Sequence, residues 1–149
     1  MFSHYGFLRL FFYILLLVFC LNTGAETQPS AKKTVMQWMM QEIVPQSTLL
    51  WGADNPESDE EWSQLLSAAE KIIRAAKAMQ KNALSDQGTD WSKQSDWQTY
   101  NSEMKAAADH AKEAILEKNL DKLFKAGDDL YPPCEGCHLQ FNPAVSEDS

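Results

Sequence analysis

The sequence predicts an all-α fold, an antiparallel four-helix bundle. Three observations carry that expectation. Past residue 25, apolar residues recur at intervals of three and four; no stretch alternates like a half-buried strand; and Gly and Pro gather at a few breaks. Four amphipathic stretches with short links set neighbours antiparallel, each burying one stripe against the others.

The first stretch, residues 33–53, places Met36, Met39, Met40, Ile43, Ser47, Leu50 and Trp51 on one stripe. Pro45 inside it is expected to bend the helix, because proline lacks an amide donor and crowds the preceding turn. The turn 52–56 follows. The second stretch, residues 59–84, opens on a capping box of Ser58 and Glu61. Trp62, Leu65, Leu66, Ala69, Ile72, Ile73, Ala76 and Met79 then follow at helical spacing.

Residues 85–94 read as a polar loop holding one aromatic, Trp91. The third stretch, residues 96–118, has a second candidate capping box in Ser95 and Gln98. Its stripe is Trp97, Met104, Ala107, Ala108, Ala111 and Ile115. So many alanines let a neighbouring helix or a flat ligand come close. The fourth stretch starts at the cap residue Asn119. Leu120, Leu123, Phe124, Gly127, Leu130 and Tyr131 share a face that, continued at helical spacing, reaches Cys134, His138 and Phe141. Pro132-Pro133 interrupts this stretch, which predicts a kink or a fresh short helix with Pro133 at its first position.

The chain has 149 residues, enough for one domain around one core. Residues 1–25 are not expected to belong to it. Arg9 precedes an unbroken apolar run, residues 10–21, and small residues stand at the −3 and −1 positions of a cut after Ala25. This is the layout of a secretory signal peptide, and the run falls short of the roughly 20 residues that span a bilayer. A lipid anchor at Cys20 is disfavoured by bulky Phe19 before it. Export to the periplasm is therefore expected, with residues 26–149 as the mature domain.

Cleavage there removes Arg9 alone among charged residues, leaving 12 basic against 21 acidic side chains, a net charge of −9. Nucleic acid and anionic membrane would be repelled, which leaves them out as partners and favours a basic one. No nucleophile stands with a base, and no carboxylate pair marks a reaction site, so the chain does not read as an enzyme.

Of the three cysteines, Cys20 leaves with the signal peptide; Cys134 and Cys137 remain, in Cys134-Glu135-Gly136-Cys137-His138. Four readings compete for this run. A redox dithiol of thioredoxin type needs a βαβ context, and no strand pattern exists here. A structural disulfide closing so small a loop constrains the chain little. Structural zinc needs about four ligands. The run supplies three, adjacent Cys137 and His138 splay apart, and His110 falls off the third stripe. Cys-x-x-Cys-His is also the attachment signal of c-type haem, two thiols binding the porphyrin while the adjacent histidine ligates the iron. Export, motif and the lack of other cysteines agree on the last.

An all-helical exported chain with this motif after three other helices resembles the class II cytochromes c, the cytochrome c-prime and c-556 family. The resemblance covers essentially the whole mature chain, and Phe141 matches an aromatic that several members carry three places after the ligand histidine. It implies one covalently bound haem c on Cys134 and Cys137, with His138 as proximal iron ligand. Asn142 departs from the basic residue usual in cytochrome c-prime, so tuning of the iron by that charge is not carried over. Family members place the distal residue on the first helix, with a methionine six residues before its proline and a tryptophan six after. Met39 and Trp51 match around Pro45, which implies Met39 as sixth ligand, ahead of Met40 and Met36. Methionine is equally a common core filler. Trp38, Trp51, Trp62 and Trp97 read as core or haem-edge packing.

A filled sixth position implies electron transfer with a redox partner protein that the sequence does not name. An open position implies a haem protein that binds NO or CO. A haemless helical module is the remaining reading. Related bundles often pair through their first two helices, so a homodimer is an open expectation.

Overall fold

The computed structural model describes residues 32–142; the expected signal peptide, residues 1–25, lies outside the described residues. Among the described residues the fold is all-α, a four-helix bundle, with no strand beyond an isolated bridge between Leu84 and Asp90.

The first helix of the bundle is built in three pieces. Thr34 caps α1 (Val35–Trp38): its Oγ1 accepts the Gln37 amide while the Gln37 side chain accepts the Thr34 amide. A π-helical turn (Met39–Ile43) follows, and then α2 (Val44–Trp51). In the π turn the Val44 amide donates to the Met39 carbonyl, five residues back rather than four. The irregularity expected at Pro45 takes this form. Proline cannot donate to the turn before it and crowds that turn's carbonyl, and a widened turn just upstream makes room.

The extra residue also puts positions upstream out of phase with those downstream. The expected single stripe is therefore corrected. Val35, Ile43, Ser47 and Leu50 are buried, whereas Met36, Met40 and Trp51 are exposed.

Helix α3 (Asp59–Lys81) starts on the expected Ser58–Glu61 capping box, with the Glu61 amide 3.2 Å from Ser58 Oγ and the Ser58 amide 2.8 Å from Glu61 Oε2. Leu65, Ala69, Ile72, Ile73, Ala76 and Met79 are buried as expected. In the loop 82–94, Asp90 Oδ1 accepts the Ala83 and Ser92 amides, and the Val35 amide donates 2.8 Å to the Leu84 carbonyl. That last bond ties the loop to the start of α1.

Helix α4 (Ser95–Leu116) begins without the expected Ser95–Gln98 box; its N-cap is Gln94, with no side-chain cap. Gln98 instead donates to the carbonyls of Gln80, at 2.8 Å, and Ser92. Gln80 sits in the last turn of α3, where carbonyls lack helical partners, so the amide satisfies a group that needs one.

Asn119 caps α5 (Leu120–Phe141) by accepting the Lys122 amide at 3.0 Å. Helix α5 runs on through Pro132 and Pro133, so no fresh helix starts at Pro133. The two prolines withhold donors from the carbonyls one turn back, at Asp128 and Asp129. Both residues are exposed, and water can serve those carbonyls. Phe124 and Tyr131, expected on the core face, are exposed; Leu123, Ala126, Gly127 and Leu130 form the buried one.

Cross-helix bonds fix the directions. Trp97 Nε1 donates to the Met79 carbonyl at 3.0 Å, and Lys112 reaches Glu70 at 2.8 Å, so α3 and α4 are antiparallel. The Trp97 and Phe141 rings meet edge-to-face with centroids 5.1 Å apart, and farther along α4 Tyr100 lies against Gly136, farther back on α5, so the two helices are antiparallel.

Candidate functional site

Helix α5 carries Cys134 and Cys137 one turn apart on one side, because residues three apart on a helix are neighbours. Cys137 is buried, Cys134 is half-buried, and both thiols are free. Burial pushes the Cys134 thiol up to about 11. The Cys137 thiol is pushed up to about 12, by burial first and then by the neighbouring Cys134. Neither sits beside a cation or a helix start that would favour thiolate, so these are not the activated thiols of a dithiol exchange site.

Two adjoining cavities meet at this segment. The first, of about 110 Å³, lies between α2, α4 and α5, walled by Ser47, Thr48, Tyr100, Asn101, Met104 and Cys134 among others. The second, of about 330 Å³, lies toward the loop 82–94, walled by Val35, Met36, Met40, Ser85, Trp91 and Phe141 among others. The larger reaches the lower end of the roughly 300–1,000 Å³ usual for ligand pockets. Met39, Val44, Cys137 and His138 wall both cavities. Met39 and His138, ninety-nine positions apart, thus face the same space from different helices.

The three methionines separate in the structure. Met39 is half-buried and borders both cavities; Met36 and Met40 border only the second and are 48% and 61% exposed. Met39 and Met40 both lie in the π turn, and successive side chains on a helix point about 100° apart.

One end of the larger cavity is closed by three rings. Trp91, Trp97 and Phe141 pack with centroids 5.1 to 5.4 Å apart, in tilted and edge-to-face geometry that aromatic quadrupoles favour. Trp51 walls the smaller cavity. Its indole donates to the Gly127 carbonyl at 2.9 Å, and its ring lies against Gly127, where a Cβ would stand 3.3 Å from Trp51 Cδ1. That contact explains why a tryptophan half open to solvent is still fixed in place.

Sequence reasoning missed Tyr100, Asn101 and Ser85. Asn101 is 2% exposed; its Nδ2 donates to the Trp97 carbonyl at 2.8 Å, and its Oδ1 has no hydrogen-bond partner. The signal was present: Asn101 stands one turn past Trp97 and three residues before Met104, a polar residue on an apolar stripe. His110 is exposed, as its place off that stripe predicts. Among the described residues no group of three or more His, Cys, Asp or Glu side chains converges as a metal-ion site.

The donor set can be compared with the needs of a covalently held haem: two thiols a helical turn apart, an adjacent imidazole, a thioether across the cavity, and apolar walls with an unsatisfied acceptor. The residues fit. No protein-family model matches the chain, and neither a curated protein nor a solved structure does. Among the described residues no helix is long and apolar enough to cross a membrane.

Proposed function

We propose that the chain is an exported monohaem c-type cytochrome that carries electrons and belongs with the class II cytochromes c. The observation that carries this reading is that Met39 and His138 wall the same two apolar cavities while Cys134 and Cys137 stand free on the His138 helix. Cys134 and Cys137 would hold haem through thioether bonds, and His138 and Met39 would supply ligands to its iron. Bound haem would supply one-electron chemistry at its iron, which no side chain of the chain offers.

The chain's own part is binding and environment. The thioether anchors fix the orientation of the group. Buried Ile43 and Met104 exclude water, and a low dielectric around the iron favours the less charged oxidation state. A methionine thioether opposite histidine raises the potential. The acidic surface suits a redox partner of opposite charge.

The visible spectrum of the purified protein tests this reading. A low-spin ferric spectrum with the weak far-red methionine–iron band is the expected result. A high-spin ferric spectrum that binds CO on reduction would replace electron transfer with gas binding. A protein that never stains for haem on a denaturing gel would end the proposal.

A further inference from the structure

We infer that Asn101 is a positioning residue for the iron ligand: its Oδ1 accepts the free N–H of the His138 imidazole. The inference rests on the haem reading and adds to it a hydrogen bond that the motif does not specify.

Asn101 is fully inside the bundle, and one end of its amide is already committed. Nδ2 donates to the Trp97 carbonyl, one turn back on α4. Turning the amide over would set two carbonyl oxygens against each other, so chemistry fixes Oδ1 as the unpartnered end of a side chain that walls the first cavity. A buried acceptor left without a partner costs about 1–3 kcal/mol. Oδ1 is the only buried side-chain nitrogen or oxygen among the described residues in that condition. Such an atom calls for a donor within the cavity.

Elimination names the donor. Ser47 and Thr48 hydroxyls both donate to the Val44 carbonyl, at 3.2 and 2.8 Å. The Trp51 indole is taken by Gly127. Tyr100 immediately precedes Asn101 on the same helix, and successive side chains diverge by about 100°. The thiols lose their hydrogens when they form thioethers. The His138 imidazole remains, and no side chain among the described residues hydrogen-bonds it.

Register places it well. Trp97 on α4 faces Phe141 on α5. One turn along α4 and one turn back along α5, the facing residues are Asn101 and Cys137, beside His138, and all three wall the first cavity. A histidine that ligates metal through one nitrogen usually gives its other N–H to an acceptor, which fixes the ring and strengthens it as a ligand. A stronger imidazole ligand stabilises ferric over ferrous iron.

The test compares the haem-loaded wild type with Asn101→Leu and Asn101→Asp, reading reduction potential and the His138 Nδ1–H resonance in nitrogen-15 NMR. Leucine removes the acceptor: the potential should rise by an amount equivalent to about tenfold in the ferric-to-ferrous ratio, the low end for second-sphere partners of metal ligands. The N–H should then exchange faster with solvent. Aspartate keeps the shape and strengthens the acceptor, so the potential should fall; this variant carries the test if the leucine protein does not fold. An unchanged potential and unchanged His138 resonance in the variants would overturn the inference while leaving the haem reading intact. A wild-type protein without haem would sink both, and the stained gel tells the two failures apart.

Discussion

The ring of Tyr100 lies where a side chain at Gly136 would begin: a Cβ there would stand 2.6 Å from Tyr100 Cε1. Gly136 is the second variable residue between Cys134 and Cys137, so helix α4 presses directly on the motif. Glycine is needed here for closeness, since the local backbone is helical.

That contact predicts a change of sign. In a helix interior Gly→Ala normally stabilises by about 1 kcal/mol. In the wild-type background Gly136→Ala should instead destabilise by about 1–3 kcal/mol, the cost of overpacking. In a Tyr100→Ala background the same change should stabilise. Urea unfolding of the four proteins measures both; a stabilising Gly136→Ala in the wild type would show that the ring gives way freely.

Trp97 is fully buried and holds α3 to α4 through the Met79 carbonyl. Trp97→Ala should cost about 3–5 kcal/mol, as large buried aromatics do. The same variant should loosen Phe141, which leans on that ring, and near-ultraviolet circular dichroism should lose intensity more than one tryptophan explains.

Met39 differs from its neighbours by place rather than by type. Met39→Ala should turn a low-spin spectrum high-spin without unfolding the bundle, while Met36→Ala and Met40→Ala leave the spectrum as it was. A spectral change in Met40→Ala alone would move the ligand one position along the π turn, to a side chain that points about 100° away.

Acid should weaken the start of the bundle. A hydrogen bond from Lys33, 2.8 Å from Glu42 Oε1, holds the Glu42 carboxyl below its ordinary value of 4.5, against a smaller opposing effect of burial. A carboxylate with a lowered folded value stabilises the fold above the ordinary value and loses that contribution as pH falls through the lowered one. The pair is partly exposed, so it contributes at most about 1 kcal/mol. Lys33→Met should lower the urea midpoint at neutral pH, and the difference from the wild type should shrink as pH falls below 4.5 and vanish only below the lowered folded value.

Much of this was legible in the sequence where one rule acted alone. The stripes of α3 and α4 follow a strict helical period, and Ser58 with Glu61 has no rival partner. Legibility failed where two demands met. The π turn ahead of Pro45 broke the phase that had put Met36 and Met40 on one stripe with Ser47 and Leu50. Gln98 found an unpaired carbonyl at Gln80 that outweighed capping. Pro132 and Pro133 stayed inside α5 because the carbonyls they leave unpaired belong to exposed residues. Asn101 was passed over because an apolar pattern is read by its matches, and its meaning lay in the mismatch.

The central claim concerns two sulfurs, and mass reads them directly. The peptide spanning residues 131–141, cut from exported protein, should weigh one haem more than its residues alone, with Cys134 and Cys137 both closed to alkylation. A peptide of bare mass, its thiols free or joined to each other, would contradict the account.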